Sequence, residues 1–448
     1  MRDFLALVTI SMLLLAGQAS ALGADATRAS ACPRSPSDLP RGPAALHRAL
    51  ARHGISLGLS DSENLLGNFA GGIKQGSTVQ GVTTLSLDVD TGKALRLQGG
   101  RIHASVLDIH GQPLSGPYLG DLQAANGNEA RDGARLWELW YQQSFDSGRF
   151  DVKVGQQSID NDFIVSKYSG LFLNTMAGWP LLPSFDMYGG GPAYPLSSLG
   201  LRIRARPTRR LTALAGVFDD NPGGGRFAQN AQVLDPSGTN FNLSTGTLFI
   251  GEIQYATRLA GLRGTYKLGG WYDTGLFPDE YLASDGLSLA DPRGHGVPRM
   301  HHGNYSVYAV ADQTVWRSST QPSRTLNLFG RIMGAPNDRN LIDLSFNGGL
   351  TVGDPLPGRP HDQFGVDLGI GHVSSQAAAL DRASGLAAQG TETLVELTYQ
   401  ARLTRWLVLQ PDLQYVIHPG GGLINPSDPH HLVGNELVAG VRAVASFS

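Results

Sequence analysis

The stretch Leu201-Arg202-Ile203-Arg204-Ala205-Arg206, with Pro207-Thr208 directly after it, decides how the rest of the chain is interpreted. Apolar residues alternate with arginines, so a β-strand here would carry three guanidinium groups on one face and only apolar groups on the other. Exposing an Arg to lipid near the bilayer midplane costs ~2–4 kcal/mol, so the arginine face must point to water. The stretch therefore predicts a strand with one hydrated face and one lipid-facing side.

The same period of two recurs along the chain from about residue 65. Counting such segments gives about sixteen, which is within the even-numbered series of bacterial β-barrels. An even number allows the first and last strands to pair antiparallel, so that no unpaired edge meets lipid. Further examples are Leu85, Leu87 and Val89; Phe150, Val152 and Val154; Leu262, Tyr266 and Leu268; Phe364, Val366, Leu368 and Ile370; and Val395, Leu397, Tyr399 and Ala401, each set alternating with polar or small residues.

The breaks between these segments are alternately short and long. Such a rhythm is typical of a barrel with tight periplasmic turns and large external loops. We therefore predict an all-β fold, a transmembrane antiparallel β-barrel of about sixteen strands. The short turns are predicted at 90–92, 146–148, 206–208 and 403–405, and the long stretches at roughly 107–133, 157–198, 218–246 and 273–302.

Composition is consistent with this class of protein. The chain has 448 residues, of which 16% are charged, below the usual ~25% of soluble domains. A wall in which every second residue faces lipid accounts for the deficit. The formal net charge of -3 gives no indication of a nucleic-acid partner.

The N-terminal residues predict export. Arg2 precedes an apolar run, and Ala19-Ser20-Ala21 is a pattern cleaved by signal peptidase, so residues 1–21 are interpreted as a signal peptide. Residues 22–63 are predicted to be a periplasmic linker with one short helix that stops at Gly54, and residues 64–448 the barrel. Cys32 is interpreted as inert, with lipidation as the alternative. The expected location is the outer membrane of a Gram-negative bacterium.

The predicted strand number determines what the interior can be. Barrels of about sixteen strands leave an aqueous channel, and the inward sets named above are polar. Residues 157–198, the third external loop, are rich in Gly and Pro and carry Trp179, Phe185 and Tyr194. We expect this loop to fold inward as a constriction, because it is too apolar to lie in solvent. A surface lid or a subunit contact is the alternative.

Several local strings resemble those of the carbohydrate-selective porins of the OprB type, in the same order from about residue 64 to the end. The resemblance implies a sixteen-stranded outer-membrane barrel that passes glucose and similar sugars by facilitated diffusion. Such chains usually end in an aromatic residue, whereas here Phe447 is followed by Ser448. The strings are those at 136–141, 172–174, 178–180, 189–195, 217–222, 269–275, 335–340, 358–360, 409–415, 419–421 and 440–442.

A sugar passage needs hydrogen-bonding groups for hydroxyls and aromatic rings for apolar C–H faces. Glu138, Trp140 and Gln142 share one face of their strand and would line such a track, although Trp140 could instead belong to the aromatic girdle at the membrane interface. The other candidates for the lumen are predicted mainly to form charge pairs across it. They are Arg263, Lys267, Arg331, Glu396, Arg402, Asp412 and Arg442. Arg202 and Arg204 are expected instead either as solvated charges of the wall or as residues that donate to sugar hydroxyls and attract anions.

No catalytic or metal site is predicted, because nucleophile elbows, phosphate loops and paired cysteines are missing from the sequence. His301-His302 and His430-His431 are expected in external loops without further ligands. We predict a sugar porin without cofactor, with outer-membrane lipid and the barrel-assembly machinery as expected partners; the sequence leaves open whether the barrels are monomers or homo-oligomers. The alternatives are a general or anion-preferring porin, a barrel enzyme, and a soluble β carbohydrate-binding protein.

Overall fold

The computed structural model describes residues 43–227 and 229–447. The predicted signal peptide at 1–21, Cys32 and Ser448 lie outside the described residues. Within them, the chain forms one closed antiparallel barrel of sixteen strands. The predicted fold class and strand number are confirmed.

Each strand is hydrogen-bonded to its neighbours in sequence, and β1 pairs with β16 to close the barrel. Closure satisfies the backbone N–H and C=O groups within the sheet, which lipid could not do. The strands are β1 Ile55–Gly72, β2 Gly76–Asp90, β3 Gly100–Gly111, β4 Gly133–Phe145, β5 Phe150–Gln157, β6 Ser198–Ala205, β7 Leu211–Asp219, β8 Thr247–Leu259, β9 Leu262–Ala283, β10 Pro298–Arg317, β11 Thr325–Gly334, β12 Ile342–Gly353, β13 Gln363–Val373, β14 Thr391–Arg402, β15 Leu407–Ile417 and β16 Gly434–Phe447.

The helices are short and lie outside the sheet. The first, α1, spans Pro43–Arg52 and ends just before Gly54, whose φ of +77° reverses the chain into β1. The predicted lead-in helix is therefore present. No helix in the described part of the chain is long and apolar enough to cross a membrane. The others are α2 Thr91–Ala94, α3 Thr175–Gly178, α4 Leu181–Asp186, α5 Ala231–Leu234 and α6 Ser375–Ala383.

The last strand closes the seam of the barrel with its terminal aromatic residue. Phe447 pairs with Leu59 of β1, and its ring stacks on that of Trp406 at a centroid distance of 5.8 Å. An aromatic pair of this kind is typical of the interfacial girdle of membrane barrels. Phe447 therefore occupies the end of the closing strand even though it is the penultimate residue.

The distribution of side chains is inverted relative to a soluble protein. Large apolar residues face outward, with Leu268 67% exposed and Val307 64% exposed. Charged residues face inward, and Arg202, Arg331 and Glu396 are almost fully buried. This inversion is the arrangement that an apolar solvent around the barrel requires.

Two predicted boundaries were wrong. The barrel begins at Ile55 rather than at residue 64, because Ile55, Leu57 and Leu59 already alternate with small or polar residues and pair with β2. The predicted external stretch 273–302 is mostly strand, since β9 and β10 continue to Ala283 and from Pro298. Only ~9–11 residues are needed to cross the membrane, so these long strands project beyond it.

We predict that Leu268→Arg destabilises the folded barrel by ~2–4 kcal/mol, because Leu268 is 67% exposed on the outward face of β9, between Tyr266 and Tyr272. The free energy of unfolding would be measured by urea titration in lipid bilayers. The matched control is Thr265→Arg on the inward face of the same strand. An equal loss of stability in both variants would contradict the assigned orientation of β9.

Candidate functional site: the lumen and its constriction loop

The loop between β5 and β6, residues 158–197, lies inside the barrel. Many of its side chains are buried, including Ile159, Phe163 and Leu182. It contains the short helices α3 and α4, of four and six residues, which lie within the lumen. The prediction that this loop folds inward is confirmed.

Apolar packing attaches the loop to the external half of the wall. Inward-facing wall residues on β7 to β13 are apolar there, which corrects the expectation of a polar interior throughout. They are hidden from water because the loop covers them. The cluster comprises Ile159, Phe163, Ile164, Met176, Trp179, Leu181, Leu182, Met187 and Ala193 from the loop, and Leu214, Phe218, Leu248, Ile250, Trp271, Tyr308, Val310, Met333, Ile342, Val373 and Ala377 around it.

Wall carboxylates accept hydrogen bonds from backbone amides of the loop. Glu252 accepts from the Ile164 N–H at 2.9 Å, and Glu396 accepts from the Leu173 N–H at 2.6 Å. Asp312 accepts from the Lys167 N–H at 3.0 Å. Each carboxylate thereby obtains charge-assisted hydrogen bonds and satisfies amides that the irregular loop could not pair internally.

Wall cations bind the carbonyl oxygens of the same loop. Arg331 donates to the carbonyls of Gly178 at 2.9 Å, Ala177 at 2.8 Å and Ile164 at 3.2 Å, and also to that of Met176. Lys267 donates to the carbonyl of Val165 at 2.6 Å. The predicted pairing with an opposite charge was wrong for Arg331, which binds the loop backbone instead. Lys267 also lies 3.9 Å from Glu252 on the neighbouring strand β8.

The loop between β3 and β4, residues 112–132, also folds inward. Arg442 donates to the Asn64 side chain at 2.8 Å and to that of Asn126, in this loop, at 3.1 Å. Asp412 accepts from Gln414 at 2.9 Å, and Gln414 donates in turn to the carbonyl of Ala125 at 2.8 Å. The sequence analysis missed this second inward loop, because its residues carry fewer large apolar side chains.

Arg202 and Arg204 on β6 face inward as predicted, whereas Arg206 lies beyond the end of that strand and donates to the Gly148 carbonyl at 3.2 Å. Arg202 forms a buried ion pair with Asp151 and donates to Gln142 at 3.2 Å. Arg204 contacts the other oxygen of Asp151 at 2.7 Å. Lys153 contacts Asp162 of loop 158–197 at 2.5 Å. These two aspartates were not identified as partners from the sequence, because strand alternation does not show which residues meet across the barrel wall.

The predicted track of Glu138, Trp140 and Gln142 lies on the lumen side of β4. Glu138 accepts from the Ser158 N–H at 3.1 Å and thus holds the start of loop 158–197. Trp140 stacks on His103 at a centroid distance of 4.9 Å. Its alternative position in the interfacial girdle is excluded by these inward contacts.

The three aromatic residues predicted in the constriction loop make different contacts. Trp179 donates to the Gly190 carbonyl at 2.9 Å within the loop, and Phe185 packs against the apolar cluster. Tyr194 donates to the Asn128 carbonyl at 3.0 Å and contacts Trp137 edge-on. Trp137 was missed, because a bulge in β4 turns it inward beside Glu138 and interrupts the alternation.

Arg263 lines a cavity of about 790 Å³ at the periplasmic end of the lumen, beneath loop 158–197. Arg402 lines the same cavity. Their side chains reach solvent in the lumen rather than the loop backbone. These two arginines are therefore in a different environment from Arg331.

The histidine pairs were expected in external loops. His301 instead lies in β10, where its Nε2 is 2.9 Å from Asp279. His431 lies in the loop after β15, 2.8 Å from Asp428. Across residues 43–227 and 229–447, no group of three or more His, Cys, Asp or Glu side chains is arranged to hold a metal ion.

One carboxyl group in the constriction loop, that of Asp160, has its pKa raised by burial. Burial raises the pKa of Asp160 to about 6, although hydrogen bonds from the Ser158 hydroxyl and the Tyr194 N–H oppose the shift. Because the folded pKa exceeds that of an unfolded Asp, the folded loop binds the proton more tightly. The resulting stabilisation is complete below about pH 4 and is lost as the pH rises through about 6.

We predict that acidification from pH 7.5 to 4.5 reduces flicker of the open channel, because protonated Asp160 stabilises loop 158–197. The stabilisation is at most about 3 kcal/mol, since one pKa unit corresponds to ~1.4 kcal/mol. Single-channel recordings would measure it. The variant Asp160→Asn should flatten the pH dependence, whereas Asp146→Asn in an exposed turn should not. Unchanged pH dependence in Asp160→Asn would contradict the assignment.

We predict that Arg331→Met weakens the attachment of loop 158–197 by ~3 kcal/mol or more, because hydrogen bonds to a charged group contribute ~1.5–3 kcal/mol each. Conductance should rise, and proteases should cleave within the loop. The control Arg339→Met removes an arginine at the external rim that bonds to Gly303 and Asp338. Equal conductance in wild type and Arg331→Met would show that Arg331 does not hold the constriction.

Comparisons with known proteins agree with this geometry. Porin B of Pseudomonas aeruginosa is 25% identical over 397 residues, covering 81% of this chain and 80% of that protein. The high pH structure of Pseudomonas putida OprB has a TM-score of 0.79 at 23% identity and covers 89% of this chain and 96% of that one. Its low pH structure has a TM-score of 0.55 at 19% identity, with 89% and 95% covered. The family model of the carbohydrate-selective porins matches residues 74–447, and the chain belongs to the carbohydrate-selective porin, OprB family.

Proposed function

We propose that this chain forms a passive passage for neutral monosaccharides such as glucose, through the lumen that loop 158–197 narrows. Its family is that of outer-membrane carbohydrate porins, so the protein resides in the outer membrane of a Gram-negative bacterium. One observation carries the proposal. Arg331, Glu252 and Glu396 on the barrel wall hydrogen-bond to the backbone of this loop and hold it inside the sixteen-stranded barrel.

The chemistry of the proposed passage follows from the properties of the solute. A sugar needs donors and acceptors for its hydroxyls and an apolar surface for its C–H faces, without being held tightly. Trp140 and Gln142 are half-buried on the lumen side and offer both kinds of surface. We propose these two and Arg204, Arg263 and Lys267 as residues that meet the solute. Glu138, Arg202, Arg331, Glu396, Asp412 and Arg442 would act mainly by shaping the passage.

No energy source is needed, because a concentration gradient drives flux through a pore. We propose that the protein has no catalytic role and needs no cofactor, since most of its charged residues around the constriction bind loop backbone or one another. Lipid of the outer membrane would surround the apolar belt, and the barrel-assembly machinery would insert the chain.

Liposome swelling with a panel of solutes tests the function directly. Glucose should enter faster than amino acids of similar size, because the lumen carries side chains that can hydrogen-bond to sugar hydroxyls in addition to its charged groups. Planar-bilayer current should fall when glucose is added. Comparable entry rates for glucose and size-matched amino acids would show that the protein is a general porin without selectivity for sugars.

We predict that Trp140→Ala weakens the block of current by glucose, because an aromatic face for the sugar ring is lost, while Trp140→Phe retains most of it. The half-blocking glucose concentration would be measured in planar bilayers. Trp406→Ala, on the outer surface, is the matched control. If Trp140→Ala and wild type are blocked equally, Trp140 lies off the sugar path.

A further inference from the structure

The cavity of about 790 Å³ beneath loop 158–197 is strongly basic. Its wall comes from the loop underside and from the periplasmic ends of β8 to β14. Five cationic side chains line it against two carboxylates, Asp354 and Asp362. The cationic side chains are those of Lys167, Arg258, Arg263, Arg317 and Arg402.

The two carboxylates already have partners. Asp362 is 2.8 Å from Arg359 and accepts hydrogen bonds from the Tyr399 hydroxyl at 2.7 Å and the Arg402 N–H at 3.0 Å. Asp354 accepts from the His361 N–H at 2.6 Å. They therefore do little to neutralise the cations on the other parts of the cavity wall.

The cations, in contrast, lack acidic partners. Among residues 43–227 and 229–447, none of the five forms an ion pair with a carboxylate within 4.0 Å. Arg258 and Arg317 donate to the carbonyls of Gly261 and Pro322, and the Lys167 ammonium lies 5.2 Å from the centroid of the Tyr168 ring. Positive charge concentrated in a cleft attracts anions and raises their local concentration.

Side chains that can hydrogen-bond to sugar hydroxyls line the same cavity. Thr314 donates to Asn327 at 2.8 Å, and Gln363 donates to Gln400 at 3.1 Å. Hydroxyl and amide side chains can act as both donors and acceptors. The cavity thus combines charge for a carboxylate with partners for several hydroxyls.

We propose that this cavity is a subsite for monosaccharides that carry a carboxylate, that is, sugar acids. The inference rests on the proposed function, since it names a solute class for the same passage. A sugar acid leaving the constriction would meet a region where its charge is favoured and its hydroxyls find partners. A neutral sugar would gain only the hydrogen bonds to its hydroxyls and not the attraction to the cations. The anionic sugar should therefore cross faster.

The test compares the entry of labelled gluconate and labelled glucose into proteoliposomes. At low salt, wild type should transport gluconate several-fold faster than glucose. The preference should vanish near 1 M salt, where the Debye length falls to ~3 Å. The double variant Arg317→Gln/Arg402→Gln should lose most of the preference while its glucose rate stays within about twofold, because a neutral solute gains little from the positive field of the cavity.

The matched control removes two positive charges outside the lumen, by Arg226→Gln/Arg293→Gln in the external loops, and should keep the wild-type preference. Resistance to SDS before heating would confirm that each variant is folded. Equal gluconate and glucose rates in wild type, or an unchanged preference in the Arg317/Arg402 variant, would overturn the subsite. Absence of glucose entry into wild-type vesicles would instead overturn the proposed function itself.

Discussion

The structure depends on the absence of water from the hydrocarbon layer. Backbone polar groups that cross this layer must be satisfied within the protein, which a closed sheet achieves when β1 pairs with β16. Closure also forces alternate side chains to opposite environments. The outward set, such as Leu268 and Val307, can then be fully apolar, and the inward set becomes available for charges.

The inward charges act largely on backbone rather than on one another. Arg331 and Lys267 bind carbonyl oxygens of loop 158–197, and Glu252, Asp312 and Glu396 bind its amides. An irregular segment inside a barrel has many such unpaired groups, and burying them without partners would be costly. The wall charges therefore make an inward loop stable, and the loop in turn makes the wide barrel narrow.

Sequence periodicity predicted the fold because the membrane imposes it on each strand separately. Alternation in Leu201–Arg206 or Val395–Ala401 needs no knowledge of any distant residue. The partners of the inward charges could not be predicted in this way, since Arg331 meets carbonyl groups more than a hundred residues away. Trp137 was missed because a bulge in β4 interrupts the alternation locally. The inward apolar patch around Trp271 was missed because water is excluded from it only by loop 158–197, which packs over it.

The most direct test of this account is a spin-label scan of residues 263–268 on β9 in bilayers. Labels at Arg263, Thr265 and Lys267 should be accessible to a water-soluble relaxation agent, whereas labels at Gly264, Tyr266 and Leu268 should be accessible to oxygen dissolved in lipid. Accessibility without this alternation, or with the two sets reversed, would contradict a barrel with a hydrated lumen and a lipid-facing apolar wall.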